Sequence, residues 1–217
     1  MNRWSMLRGF LPGAVAAVLA SSQPVKAMEF QREDGTDHNG TVAVAMQGEI
    51  KAGDAAKFAG FLQQLPNNER VSAFHLDSPG GDVSEMLKMA AIISLSGAVT
   101  IVPDGSICAS ACFWLFAAGQ TRVTVGTAKV GVHCASTAEG AEENVGTVGL
   151  ARLSRMMNIP NQVIGKMVST RPDQIAWLDA KDLKAMHVLT ISSDGIKAMD
   201  EAMNRRSARS TGRSHHG

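Results

Sequence analysis

Neither sign of charge is in excess in this sequence: 21 basic side chains stand against 20 acidic ones, for a net charge of +1. That balance argues against a surface built for nucleic acid or for an acid-rich partner. Long apolar runs are also lacking. A membrane-spanning helix needs about 20 consecutive apolar residues, whereas the run from Phe10 to Ala20 contains Pro12 and Gly13 and stops at Ser21 and Ser22. Cysteine is scarce and odd in number. Cys108, Cys112 and Cys134 offer no CxxC spacing, and a zinc site would have to borrow a ligand from His133 or further away. The expectation is a protein without metal or cofactor, with at most one internal disulfide among the three thiols.

What is present begins with a leader. Arg3 and Arg8 precede the short apolar stretch, and Val25-Lys26-Ala27 places small residues at cleavage-site positions, the pattern of a secretory signal peptide cut near Ala27. Residues 1–27 are therefore assigned to the leader, and the mature protein is expected in the periplasm or outside the cell. Loss of Arg3, Arg8 and Lys26 leaves a net charge of about −2, again unsuited to a polyanion. In an oxidising compartment thiols tend to pair. Cys108 and Cys112 are four apart, within disulfide reach across one helical turn, and Cys134 competes for either.

With 217 residues and 45% hydrophobic content, the chain suffices for one sizeable core. Residues 28–40 are polar and turn-rich from Gln31 onward and are read as a flexible segment; one domain is assigned to 41–204 and a disordered tail to 205–217. Within the domain, Val42, Val44 and Met46 alternate as in a strand, whereas Phe58, Phe61, Leu62 and Leu65 have helical spacing. The spacing predicts further strands at Val71 to Leu76, Val99 to Val102, Arg122 to Val125, Lys129 to Val132 and Val188 to Ile191. Helices are predicted from Val83 towards Gly97, and over Ala111 to Ala118, Val148 to Met157, Asn161 to Val168 and Ala180 to Met186; Ser136 to Gly146 is read as a loop. Alternating strands and helices imply an α/β fold with a mostly parallel, helix-covered sheet.

Hydrolysis by acyl transfer needs a nucleophile, a base beside it and backbone donors for the oxyanion. Ser110 lies between a predicted turn and an apolar helix, where it is either a nucleophile or an ordinary N-cap. His133 ends a predicted strand, a common place for sites in α/β folds. Gly80-Gly81 follows another strand and could present a backbone N–H.

The order Ser78-Pro79-Gly80-Gly81-Asp82, then Cys108-Ala109-Ser110-Ala111-Cys112 with Phe116-Ala117-Ala118-Gly119, then Gly131-Val132-His133 resembles the Clp protease proteolytic subunit and its exported relatives. The resemblance runs from about Thr41 to Ile191. It implies the ClpP/crotonase-like spiral of repeated β-α units, a Ser110 nucleophile, a His133 base, an oxyanion hole from the N–H groups of Gly81 and Ala111, a peptide or unfolded-protein substrate and a homo-oligomer. The family's aspartate would align with Ile175; Asp173, two residues upstream, is the nearest substitute, with Asp179 and Asp182 behind it. The family's glycine before the last strand is replaced by His187, so the turn there is expected to differ. An exported chain has no ATP supply, so the family's ATP-driven unfoldase is not expected as a partner. Two rivals remain: a Ser–Lys peptidase drawing on Lys129 or Lys166, and a non-catalytic binding or assembly module of the same fold.

Overall fold

The computed structural model describes residues 26–34, 40–137 and 139–195. The expected leader, apart from Lys26 and Ala27, and the expected tail at 205–217 lie outside the described residues. In chain order the elements are β1 (Glu29–Asp34), β2 (Thr41–Gln47), α1 (Asp54–Gln63), β3 (Arg70–Asp77), α2 (Val83–Ser96), β4 (Val99–Val102), β5 (Ile107–Ala109) and α3 (Cys112–Ala117). They continue with β6 (Arg122–Val125), β7 (Lys129–Val132), α4 (Asn144–Met156), α5 (Asn161–Ser169), β8 (Ala176–Trp177), α6 (Ala180–Ala185) and β9 (Leu189–Ile191).

These strands form two sheets. The larger has the order β1-β2-β3-β4-β6-β9, parallel throughout except for β1, which runs antiparallel on β2. The smaller has the order β5-β7-β8, with β5 parallel and β8 antiparallel to β7. The core lies around α2 and α3. Met86, Met89 and Ile93 repeat on the inner face of α2, and every residue of α3 is buried. Phe74 from β3 meets Phe58 from α1 edge to face at 5.6 Å, closing the core on the α1 side.

Three sequence expectations need correction. Residues 29–34 of the segment expected to be flexible form β1, because Phe30 stacks on Phe58 at 5.2 Å and Arg32 donates to Glu69 at 2.9 Å, polar residues being what an edge strand carries; residues 35–39 lie outside the described residues. Helix α4 begins at Asn144, four residues before the expected start, because Glu143 accepts from the N–H groups of Val145 and Gly146 and caps it. His187 adopts φ 55°, the left-handed conformation that glycine favours, so the turn before β9 retains a glycine-like backbone.

Candidate active site

The site forms where the two sheets join. β3 ends at Asp77, and Ser78 then bridges to β5: its N–H donates to Ile107 O at 2.8 Å, and its carbonyl accepts from Ala109 N–H at 3.0 Å. A central strand of the large sheet thus lays the first strand of the small one alongside the Ser78-Pro79-Gly80-Gly81 turn. The fit demands glycine. A Cβ on Gly80 would lie 2.6 Å from Ser110 Cβ and 2.7 Å from both Ala109 O and Ala111 N, and one on Gly81 would lie 2.1 Å from Ile50 O. Both glycines also have positive φ, 101° and 137°.

Ser110 has φ 55°, a left-handed conformation uncommon for a side chain other than glycine, asparagine or aspartate. Its N–H donates to Gly131 O at 3.1 Å and its carbonyl accepts from Phe113 N–H at 2.9 Å, so the backbone is bonded on both sides. The N-cap alternative does not hold, because Ala111 is the N-cap of α3 and no side chain caps it. Among the described residues no hydrogen bond engages the Ser110 hydroxyl, so a serine strained at this strand-to-helix turn keeps its oxygen available for chemistry. Gly80 N–H is spent on Ser78 Oγ at 3.1 Å and Asp82 N–H on Ile50 O at 2.9 Å. The N–H groups of Gly81 and Ala111 take no part in these bonds.

His133 follows β7 directly, and both it and Ser110 line one cleft of about 650 Å³. Glu49, Lys51 and Asp82 border it, together with Trp114 and Leu150. His133 is held because Cys134 N–H donates to Thr170 O at 2.9 Å and Ala135 N–H to Thr147 Oγ1 at 2.9 Å. Its Nδ1 is 2.6 Å from Cys134 O. A carbonyl only accepts, so this bond places the proton on Nδ1 and leaves the Nε2 lone pair for a substrate or serine proton. Among the described residues no hydrogen bond joins Ser110 Oγ to His133; both flank the same space.

Asp173 is not the acceptor for His133. Its two oxygens take Arg171 Nε at 3.1 Å and Arg171 Nη2 at 3.2 Å, and its side chain is 62% exposed. Pro172 and the two-residue separation from Arg171 make this a local surface pair, whereas the position opposite the histidine belongs to the residue just before β8. In that pairing Gly131 faces Trp177 and Val132 faces Ala176; continuing the register sets Ile175 opposite His133. The aliphatic side chain of Ile175 fills space over Gly131, where an added Cβ would come within 2.4 Å of Ile175 Cγ2. Asp179 and Asp182 are likewise committed, to the cap of α6 and to Lys166. Among the described residues no carboxylate hydrogen-bonds His133.

The two lysines serve elsewhere. Lys129 Nζ lies 5.8 Å from the centre of the Trp177 ring. Lys166 is held by Asp182 and Asp179, and the Asp182 hydrogen bond above all raises its pKa above the ordinary lysine value, the opposite of what a general base needs. Cys108 pairs with Cys112 around Ser110, with Cα atoms 5.1 Å apart, and Cys134 remains a buried thiol. Burial first, then the negative charge of Glu142, raises the Cys134 pKa and keeps it a protonated thiol beside the histidine. Among the described residues no cluster of three or more His, Cys, Asp or Glu side chains is placed to hold a metal ion, and no helix is long and apolar enough to cross a membrane. The cleft residues Lys51, Trp114 and Leu150 and the Cys134 carbonyl were not expected from sequence. A carbonyl carries no signal, since every residue has one, and the others sit in ordinary helical or turn patterns.

A mostly parallel six-stranded sheet joined through Ser78 to a smaller sheet, with helices packed against them, is the ClpP/crotonase fold. Solved structures agree. The 1510-N membrane-bound stomatin-specific protease superposes with a TM-score of 0.53 at 16% identity, over 73% of this chain and 81% of that one. An enoyl-CoA hydratase from Bacillus halodurans gives 0.50 at 12% identity, over 84% and 80%, and a methylmalonyl CoA decarboxylase gives 0.52 at 13%, over 84% and 76%. No protein-family model and no curated protein sequence matches the chain. At such identities the likeness establishes the fold, which is shared by a protease and by acyl-CoA enzymes, and leaves the activity to be argued from the site.

Proposed function

We propose that this protein is an exported serine peptidase that cleaves peptides or unfolded chains by an acyl-enzyme route, with a Ser110–His133 dyad. The observation that carries the reading is Ser110 held at φ 55° on the wall of a cleft that His133 also lines, with the histidine's Nε2 free. In the reaction His133 Nε2 takes the Ser110 proton as Oγ bonds to the scissile carbonyl carbon. Gly81 and Ala111 N–H groups receive the negative oxygen. The C–N bond then breaks, His133 returns the proton to the leaving amine, and water hydrolyses the ester by the same relay. No cofactor enters. The stomatin-specific protease has also been solved with a substrate peptide, which makes a peptide the first substrate class to test.

Export is supported by the leader pattern and by the Cys108–Cys112 bond, which an oxidising compartment favours. A homo-oligomer working without an ATP-driven unfoldase completes the reading. One observation favours the rival, a non-catalytic module of the same fold: among the described residues no carboxylate hydrogen-bonds His133. A fluorophosphonate probe separates the two. The dyad requires that the mature protein be labelled at Ser110 and that Ser110→Ala and His133→Ala resist labelling. An unlabelled wild type assigns the chain to the non-catalytic class.

A further inference from the structure

The Cys108–Cys112 disulfide closes around the three residues Ala109-Ser110-Ala111, and both half-cystines are fully buried. Cys108 sits in β5, pinned to Val130 of β7 and bridged to Ser78, while Cys112 is the first residue of the buried helix α3. Ser110 between them has both backbone groups bonded, yet its left-handed φ is one that an unconstrained serine leaves. Ala111 is less secured. Its carbonyl accepts from Trp114 N–H at 3.2 Å, but its N–H, the proposed oxyanion donor, contributes to none of the bonds that hold the turn. What fixes the direction of that N–H is the chain on either side, and the disulfide locks the C-terminal side to β5.

We propose that Cys108 and Cys112 are positioning residues for catalysis: their bond holds Ser110 in its attacking conformation and aims Ala111 N–H at the oxyanion. The inference rests on the hydrolase reading. Opening the bond leaves the nucleophile and base present but lets the turn relax, so it slows the covalent step without removing any reacting group. With a dithiol as reductant, the S–S bond is cleaved, two thiols form, and the two electrons and two protons come from the dithiol, which closes to its own disulfide. Since the bond is buried, reduction requires transient opening of the turn, so the clamp is a standing feature of the site.

The test uses the full mature chain, as wild type, as Cys108→Ala/Cys112→Ala, and as wild type reduced by dithiothreitol in mild denaturant, returned to buffer and then reoxidised by glutathione disulfide. Fluorophosphonate labelling is followed for rate and for final stoichiometry, and amide hydrogen exchange is read at Ser110 and at β2. The clamp requires labelling about 100-fold slower in the variant and the reduced protein, the scale of a lost oxyanion donor or a misplaced nucleophile. Stoichiometry should remain complete, Ser110 exchange should quicken while β2 stays protected, and reoxidation should restore the rate. A labelling rate within about threefold of wild type overturns the proposal. So does a fall in stoichiometry with loss of β2 protection, which would make the bond a staple of the whole fold. If the oxidised wild type never labels, the hydrolase reading fails by itself and the catalytic role of the clamp falls with it. Ser110 exchange then shows only whether the bond orders the turn.

Discussion

The Nδ1 of His133 lies 2.6 Å from the carbonyl oxygen of Cys134, its neighbour in the chain. The carbonyl selects the tautomer and fixes the ring, as a carboxylate would, but it carries no full charge to stabilise the imidazolium that forms when Ser110 is deprotonated. Under the proposed mechanism the site works as a dyad with a neutral orienter.

Asp173→Asn should therefore leave kcat/KM within about twofold of wild type, because the residue touches only Arg171 at the surface. Steady-state kinetics on any cleaved peptide decides it. A loss of about tenfold or more would return Asp173 to the site.

Ile175→Asp tests the same point from the other side. Opposite His133 in the continued β7–β8 register, an aspartate there should raise the fluorophosphonate labelling rate by about tenfold at neutral pH, through stabilisation of the imidazolium. An unchanged or lower rate would show that the Cys134 carbonyl already supplies all the orientation His133 needs.

Ser110→Gly and Ser110→Ala should both be inactive yet differ in stability. Glycine relieves the left-handed strain and alanine does not, so the glycine variant should be the more stable by about 1 kcal/mol in urea denaturation. Equal midpoints would mean that the turn imposes no strain on residue 110.

Gly80→Ala should damage both stability and activity. The new methyl meets Ser110 Cβ at 2.6 Å and two backbone atoms at 2.7 Å in a conformation of φ 101°, at a cost of about 1–3 kcal/mol. Thermal unfolding and labelling should fall together; full activity would refute the packing of this turn against the nucleophile.

Asp104 gives a pH dependence of defined sign. Hydrogen bonds from Thr127 N–H, then from the Ser193 and Thr127 hydroxyls, lower its carboxyl from 3.8 to about 2. With the folded value below the unfolded one, its stabilisation is complete above about pH 4 and is lost as the pH falls towards 2. The difference in urea midpoint between wild type and Asp104→Ala should shrink across that window. A difference that stays constant from pH 6 to 2 would contradict the lowered value.

The strand–helix alternation from Thr41 to Ile191 was legible because each element carries its period within itself. Val42, Val44 and Met46 alternate, Val83, Met86, Leu87 and Ala90 carry the helical spacing of α2, of which Met86 and Ala90 face the core, and the predicted β2, β3, β4, β6 and β7 all form. The three-residue β9 was legible within Val188 to Ile191, but β5 and β8 were not. β5 and β8, three and two residues long, have too few positions to show a period and exist because a neighbouring strand pairs with them.

The amino-acid order alone determined the fold class and placed a histidine and a glycine pair at strand ends and a serine between a turn and a helix, since hydrophobic period and turn residues are local properties of the chain. Tertiary structure decided how those pieces meet. It paired Cys108 with Cys112 and left Cys134 free, gave Asp173 to Arg171, laid Ile175 over Gly131, and handed the histidine a carbonyl in place of a carboxylate. Each of these depends on strand register or on the path of a loop, and a shift of one residue in register exchanges which side chains face the cleft.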